Sequence, residues 1–317
     1  MRRHAIWPVL IALVPASLLL AVCWGSAGWA WPGQADPAMA RVIMELRLPR
    51  ALAALATGSL LAVAGCLMQV LLRNPLADPY VLGLSGGAAV FALLGMTLGL
   101  SFLPVPVLAF AGALLTMVLV FVLGRGSGPW SATRILLTGV VLASGWGAVI
   151  SLILALGPDA SLRSMLFWLM GDLSYASLSA WWLLPLALGL GLLWLRARSL
   201  NVLAGGQLQA ALLGEATVQR FWEIYIVASL LTALAVSLAG AIGFIGLVVP
   251  HLMRLVVGAD HRRLIPAAAL FGGAFLVVAD TIARSAFGPR QLPVGVLTAL
   301  IGVPLFLLLL NRAVRIR

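Results

Sequence analysis

Few side chains in this sequence could do chemistry, and what is missing narrows the field first. The chain has 317 residues with 20 basic and 9 acidic side chains, and every basic residue is Arg. A phosphate-binding loop of the GxxxxGK[ST] type needs its Lys, so the chain carries no ATP site of that kind, and Schiff-base chemistry is excluded with it. His4, His251 and His261 lack metal-ligand partners, and Cys23 and Cys66 form neither a CxxC pair nor a metal spacing. Both cysteines read as buried small hydrophobes. No HExxH, GxSxG or carboxylate dyad is present, so a hydrolase is unsupported and neither metal nor cofactor is expected. The polar groups that stand out are those inside apolar runs, where ionisable residues are costly and functional by default. They are Gln69 and the pair Asp280 and Arg284, whose i,i+4 spacing puts both on one helix face within reach of an ion pair.

The elements that must position these groups follow from composition. Hydrophobic residues make up 63% of the chain and charged residues 9%, with a mean hydropathy of +1.12. A soluble domain runs near about 45–50% apolar and about 25% charged. The chain therefore reads as an all-α integral membrane protein, since lipid tolerates only helices or closed barrels and strand-like alternation is absent. A net charge of +11 raises the question of nucleic acid, but the arginines are scattered one or two per loop with no basic face, so no nucleic-acid partner is expected.

At roughly 20 apolar residues per crossing, ten spans are counted over residues 1–317, taken as one transmembrane domain. They lie at 6–26, 51–72, two within 79–124 parted by the proline-bearing 101–106 stretch, 135–156, 173–195, two within 224–253 meeting near Ala241, 264–283 and 294–310. Residues 196–223 form the longest hydrophilic insertion. With the N-terminus cytoplasmic, 14 arginines fall inside and six outside (41, 47, 50, 163, 284 and 290). The positive-inside bias thus places both termini in the cytoplasm. Gly58, Ala62 and Gly65 share one helix face, and Gly83 and Gly87 form a GxxxG, the kind of small-residue face that lets helices approach closely in lipid.

Longer strings are more specific. Arg47-Leu48-Pro49-Arg50 opens the second span. Arg73-Asn74-Pro75-Leu76-Ala77-Asp78-Pro79 follows it, then Gly83-Leu84-Ser85-Gly86-Gly87. Later come Gly243-Phe244-Ile245-Gly246 with Val249-Pro250-His251, then Ala279-Asp280-Thr281-Ile282-Ala283-Arg284, Leu292-Pro293-Val294-Gly295 and Gly302-Val303-Pro304. Together, and in this order from about residue 40 to 312, they resemble the FecCD permease family, the membrane subunits of importers for iron-siderophores, haem and vitamin B12.

The resemblance implies a type II ABC importer permease fold with ten transmembrane helices per subunit, set in the lipid bilayer of a bacterial inner membrane. It implies a homodimer with two ATP-binding subunits below and a periplasmic substrate-binding protein above, and no enzymatic activity in this chain. Arg47, Arg50 and Arg284 take the positions that meet acidic side chains of the binding protein, a task suited to the planar guanidinium fork. The segment at about 201–220 takes the place of the cytoplasmic coupling helices, with Ala211, Gly214, Glu215, Gln219 and Arg220 toward the ATPase and Gly214-Glu215 expected to break it in two. Leu166, Trp168 and Met170, on a short helix between spans five and six, with Gly83 and Ser85, are expected beside the translocation path. Asp172 replaces the family's small polar residue and is left without a role. The cargo expected is an iron chelate, either a ferric siderophore or haem, with a corrinoid as the alternative. A proton-coupled secondary transporter is a more distant reading, which would need buried ionisable groups at midplane.

Overall fold

The structure is a computed structural model that describes residues 6–26, 28–33, 36–100, 104–125, 131–174, 176, 183–286, 288 and 290–314, without the side chains of 183–186, 188 and 309–314. Arg2, Arg3, Arg315 and Arg317, used in the charge count, lie outside the described residues, as do residues 101–103 of the proline-bearing break.

The first helix, α1 (Ile6–Cys23), is followed by a two-residue antiparallel ribbon pairing Trp24 with Trp29 and Gly25 with Gly28. Helix α2 (Pro37–Val42) runs through a π turn (Ile43–Arg47) into α3 (Leu48–Leu71) without interruption. Proline has no N–H to return to the carbonyl four residues back. Pro49 sits in the first turn of α3, and the wider π turn just before it closes with the Leu48 N–H on the Ile43 carbonyl.

After a 3₁₀ turn (Pro79–Leu82) come α4 (Leu84–Thr97), α5 (Val105–Arg125), α6 (Ala132–Leu156) and the short α7 (Asp159–Leu169). Helix α8 (Leu183–Leu195) forms the later part of the sixth expected span; Leu173, Ser174 and Ala176 at its start are not helical, and 175 and 177–182 lie outside the described residues. Then follow α9 (Ala197–Ala204), α10 (Gln207–Leu212), α11 (Thr217–Ala239), α12 (Ile245–Val257), α13 (His261–Ser285) and α14 (Val294–Val314). Among the described residues, six helices, the joined α2–α3 segment among them, are long and apolar enough to cross a bilayer, and three shorter apolar helices accompany them.

Helix α3 is the hub, buried along nearly its whole length. It packs antiparallel to α13. Arg50 near its start reaches Asp280, Gly58 lies against Gly272, and Ser59 donates to the Ala269 carbonyl. The small-residue face explains how they meet. A Cβ on Gly58 would collide with the Gly272 carbonyl, and one on Gly65 with the Gly246 carbonyl of α12. Backbone therefore lies on backbone at both crossings, as small residues permit in lipid.

The second glycine pair behaves differently. Gly83 has a φ of 75° and caps α4 from outside it, set against Gly139 and Ala143 of α6, while Gly87 abuts Gly112 and Thr116 of α5. The two glycines therefore serve different neighbours and form no single helix face.

The run at 224–253 divides where expected. Helix α11 stops at Gly240, whose φ of 67° and ψ of −161° no other residue adopts easily. Phe244 then opens α12 at a φ of 69°, an outlier for a bulky residue. Its ring packs on Gly302 of α14, where any side chain would occupy the same space.

Candidate functional site

The antiparallel register of α3 and α13 gives the bundle two polar ends. At the first, Arg50 forms a forked pair with Asp280. Its Nε donates to Oδ2 at 2.9 Å and its Nη2 to Oδ1 at 2.7 Å. Its Nη1 donates to Gln291 Oε1 at 2.9 Å and to Ser174 Oγ at 3.2 Å. Both partners of the pair are buried, where an ion pair is kept only by good geometry and further hydrogen bonds. The expected Asp280–Arg284 pair is the looser one, with Nε and Oδ2 4.0 Å apart.

Arg284 instead donates to the Ala21 carbonyl, and Arg47 donates to the Val22 carbonyl at 2.9 Å and the Cys23 carbonyl at 3.1 Å. Three consecutive carbonyls at the end of α1 thus receive guanidinium N–H groups. That end carries orphan acceptors and the negative pole of the helix dipole, so cations suit it on both counts. Arg47 also reaches the Gly28 carbonyl of the ribbon at 3.2 Å. None of the three arginines projects into solvent. All three line one cavity of about 380 Å³ with Glu45, Ser174 and Gln291 among its other walls. Three guanidiniums face Asp280 and a more exposed Glu45, which leaves the cavity positive.

Asp172 belongs to this end. Its Oδ1 accepts from the Ser174 N–H at 2.9 Å and the Ser174 hydroxyl at 2.7 Å, so it orients the serine that meets Arg50. Its own N–H bonds the Ala239 carbonyl at 2.9 Å. No sequence signal marked this role, because the spacing shows only a short Asx-type turn.

Leu166 and Met170 are exposed at the end of α7, whereas Trp168 is half-buried. The α7 end is held by backbone. A Cβ on Gly240 would strike the Trp168 carbonyl, and one on Gly295 the Met170 carbonyl. Gly83 is buried at the α4–α6 joint and presents no surface, and Ser85 is half-buried on the first turn of α4.

At the opposite end, Arg254 donates to Gln69 Oε1 at 2.7 Å, tying α12 to α3. Residues 201–220 run from α9 through α10 into α11, so the expected break at Gly214-Glu215 is present and a second one precedes it at Gly205-Gly206. Gly206, at a φ of 115°, separates α9 from α10, and Gly214, at 83°, ends α10 before α11. Gly214 and Glu215 therefore part α10 from α11, and the segment divides at two points rather than one. Ala211 is exposed beside Leu208, Leu212 and Leu213, while Arg220 pairs with Glu223 at 2.7 Å and Glu215 at 3.5 Å. Gln219 is exposed next to it.

Helix α9 is fastened to α13 through Asn201, which donates to Asp260 Oδ1 at 2.7 Å and accepts from the His261 N–H at 2.8 Å. The Asp260 carboxyl is held below the usual carboxylate range by hydrogen bonds from Arg262 and then Asn201. In the connection after α3, Asp78 caps the 3₁₀ turn and is pushed up to about 6 by burial, opposed by one hydrogen bond from the Tyr80 N–H.

Among the described residues, the buried polar groups between the ends are hydroxyls such as Thr57, Thr116, Thr232 and Thr281. No group of three or more His, Cys, Asp or Glu side chains able to hold a metal occurs among the described residues.

Comparison with known proteins agrees with this arrangement. The model of the FecCD transport family matches residues 9–312. The chain is 44% identical over 308 residues to the uncharacterized ABC transporter permease protein YvrB of Bacillus subtilis, covering 94% of this chain and 87% of that one. It is 41% identical to the hemin transport system permease HmuU of Yersinia pestis (89% and 86% covered). It is 38% identical to the vitamin B12 import system permease BtuC of Escherichia coli (99% and 97% covered). Among solved structures, a chain assigned to a metal-chelate type ABC transporter in an inward-facing conformation superposes with a TM-score of 0.88 at 30% identity, covering 98% of this chain and 99% of that one. With the family model matched across almost the whole chain and permeases among its relatives at 38–44% identity, the protein is a member of the FecCD transport family, a permease subunit of an ABC importer.

Proposed function

We propose that the chain is one of two identical membrane subunits of an importer that moves an iron chelate, a ferric siderophore or haem, into the cytoplasm. Two ATP-binding subunits drive it, and a periplasmic binding protein delivers the cargo. The observation that carries this reading is the separation of the two ends. The positive cavity of Arg47, Arg50 and Arg284 lies at one, and the α9–α10 segment with its exposed Leu208, Ala211, Leu212 and Leu213 at the other.

In this reading the arginine end faces the periplasm. An acidic side chain of the binding protein meets this end at the cavity, drawn by the guanidinium charge. The inside end offers α10 to a groove on the ATPase. Asn201 and Asp260 join it to α13, and α13 is packed along α3, so closure of the ATPase moves a rigid pair of helices. The Gly240 joint lets α12 take a different angle from α11.

Helix α6 exposes Ser144, Gly147, Ala148 and Ser151 on one face, and we assign that face to the second copy and the path between the two. Leu166 and Met170, exposed at the end of α7, offer polarizable apolar surface to a bulky cargo. Hydroxyls in place of buried charges at mid-depth argue against proton coupling.

A corrinoid is the second reading, favoured by the 38% identity to a vitamin B12 permease. The test is co-purification with the ATP-binding and binding-protein partners, reconstitution in vesicles, and ATP-dependent accumulation measured in parallel for haem, a ferric siderophore and cobalamin. Uptake of the first two but not the third supports the iron-chelate reading, and the reverse transfers the assignment to corrinoids.

A further inference from the structure

A cavity of about 680 Å³ opens between α3, α8, α9 and α11, away from both the arginine cavity and the α6 face. That volume lies within the range of ligand pockets, about 300–1,000 Å³. Its walls are largely apolar, with Leu67, Leu193, Leu200, Leu203, Ile224 and Val227 on the inside. Leu192 and Leu195 stand on its lining and are 66% and 69% exposed, so the opening faces the hydrocarbon that surrounds α8.

The depth of this opening is marked by Trp194. It is half exposed, and its indole Nε1 donates to the Arg262 carbonyl at 3.0 Å. An indole with its apolar body outward and its N–H bonded sits at the level of lipid headgroups. At that level Arg196 lines the cavity, and Arg198 lies beside it. Both are exposed, and neither has an ion-pair partner among the described residues. Arg220 and Arg262, in contrast, are matched by Glu223 and Asp260. One turn on from Arg196, the Ser199 hydroxyl is buried on the cavity wall without a hydrogen-bond partner. Arg196 is also the uncapped N-terminus of α9, where the backbone favours an anion.

We propose that this cavity is a site for an anionic phospholipid. Its phosphate meets Arg196 and the Ser199 hydroxyl, and an acyl chain fills the leucine-lined interior. A basic pocket between membrane helices at the cytoplasmic side is the setting in which such headgroups bind. A bound lipid would brace α9 against α3 and α11, and α9 is the element that joins the ATPase-facing segment to α13. The site therefore ties lipid composition to coupling. Its assignment to the inner leaflet rests on the function proposed above. The binding itself needs neither ATP nor cargo, so its failure would leave the transport reading standing, and the reverse.

The test is native mass spectrometry of the detergent-purified chain exchanged into phosphatidylglycerol or phosphatidylcholine. The wild type should retain phosphatidylglycerol over phosphatidylcholine by about fivefold, the ratio one arginine supplies near a charged lipid surface. Arg196→Glu should abolish that preference, Val227→Trp should remove retention of both lipids by filling the cavity, and Arg134→Glu, a change elsewhere on the surface, should do neither. A photoactivatable phosphatidylglycerol on the unmodified protein covers the case in which a variant does not fold. Its adducts should map to residues 192–203 and 220–227. Equal retention of the two lipids by the wild type, a preference unchanged in Arg196→Glu, or adducts confined to other helices would overturn the proposal.

Discussion

Arg50 and Asp280 are 230 residues apart in sequence and meet in a forked pair of hydrogen bonds at 2.9 and 2.7 Å, buried where the start of α3 crosses the end of α13. The pair is the polar clamp of the fold's central helix contact, and it fixes one wall of the positive cavity. Breaking a buried pair by removing one partner costs about 3–5 kcal/mol, because the other charge is left uncompensated. Asp280→Asn should therefore lower the unfolding temperature of the detergent-solubilised protein sharply. The Arg50→Met, Asp280→Leu double variant should recover most of the loss. A double variant as unstable as the single one would show that the pair acts through something other than buried charge.

The glycines separate packing from function. A Cβ on Gly65 would meet the Gly246 carbonyl, whereas one on Gly147 meets nothing within 4 Å. Gly65→Ala should destabilise by about 1–3 kcal/mol through overpacking. Gly147→Ala should be neutral or stabilising by up to about 1 kcal/mol through helix propensity. Gly147→Leu should leave the isolated subunit folded but impair dimer assembly or uptake, since it adds bulk to the face assigned to the second copy. Unfolding curves with size-exclusion and uptake assays on the same preparations separate these effects.

The α10 end predicts coupling without substrate contact. A cysteine at Ala211 should cross-link to the ATP-binding subunit in the assembled complex. Glu215→Ala should lower transport per ATP hydrolysed while leaving binding-protein affinity unchanged. Consistent failure to cross-link, with the complex intact, would remove α10 from the interface.

Asp78 predicts a pH effect of definite sign. Its folded value of about 6 lies above the ordinary 3.8, so the folded state binds the proton more tightly than the unfolded chain. Stability from this group is present at low pH, falls as pH rises from about 4 to about 6, and stays lower above that, by about 1–3 kcal/mol. Asp78→Asn should accordingly stabilise the protein at pH 7.5 and have little effect near pH 4.5. The difference between the two unfolding curves across that range is the readout.

Much of this was legible in the residue pattern. Long apolar runs forecast membrane helices, and Gly58, Ala62 and Gly65 forecast a close crossing. Glycine-rich 240–246 forecast the α11–α12 joint. What escaped was non-local. Spacing reveals that Asp280 and Arg284 are four apart on one helix, but Arg50 outcompetes Arg284 for the carboxylate only once α3 and α13 are antiparallel neighbours. The carbonyls at the end of α1 that accept from Arg47 and Arg284 carry no side-chain signature at all. The break at Gly214-Glu215 was legible in the residue pattern, whereas the second break at Gly205-Gly206, between α9 and α10, was not read from it. The role of Asp172 depends on Ser174 and Arg50 being brought together by a fold that no local window shows.

The central claim is that this chain provides the conduit and another subunit the energy. Vesicles should therefore be made with the purified chain alone, and with the chain plus its ATP-binding subunits and binding protein, and cargo uptake should be measured against a proton gradient and against ATP. The account predicts no uphill uptake by the chain alone under either condition, and ATP-dependent uptake by the assembly. Accumulation driven by the proton gradient in vesicles that hold only this chain would contradict it.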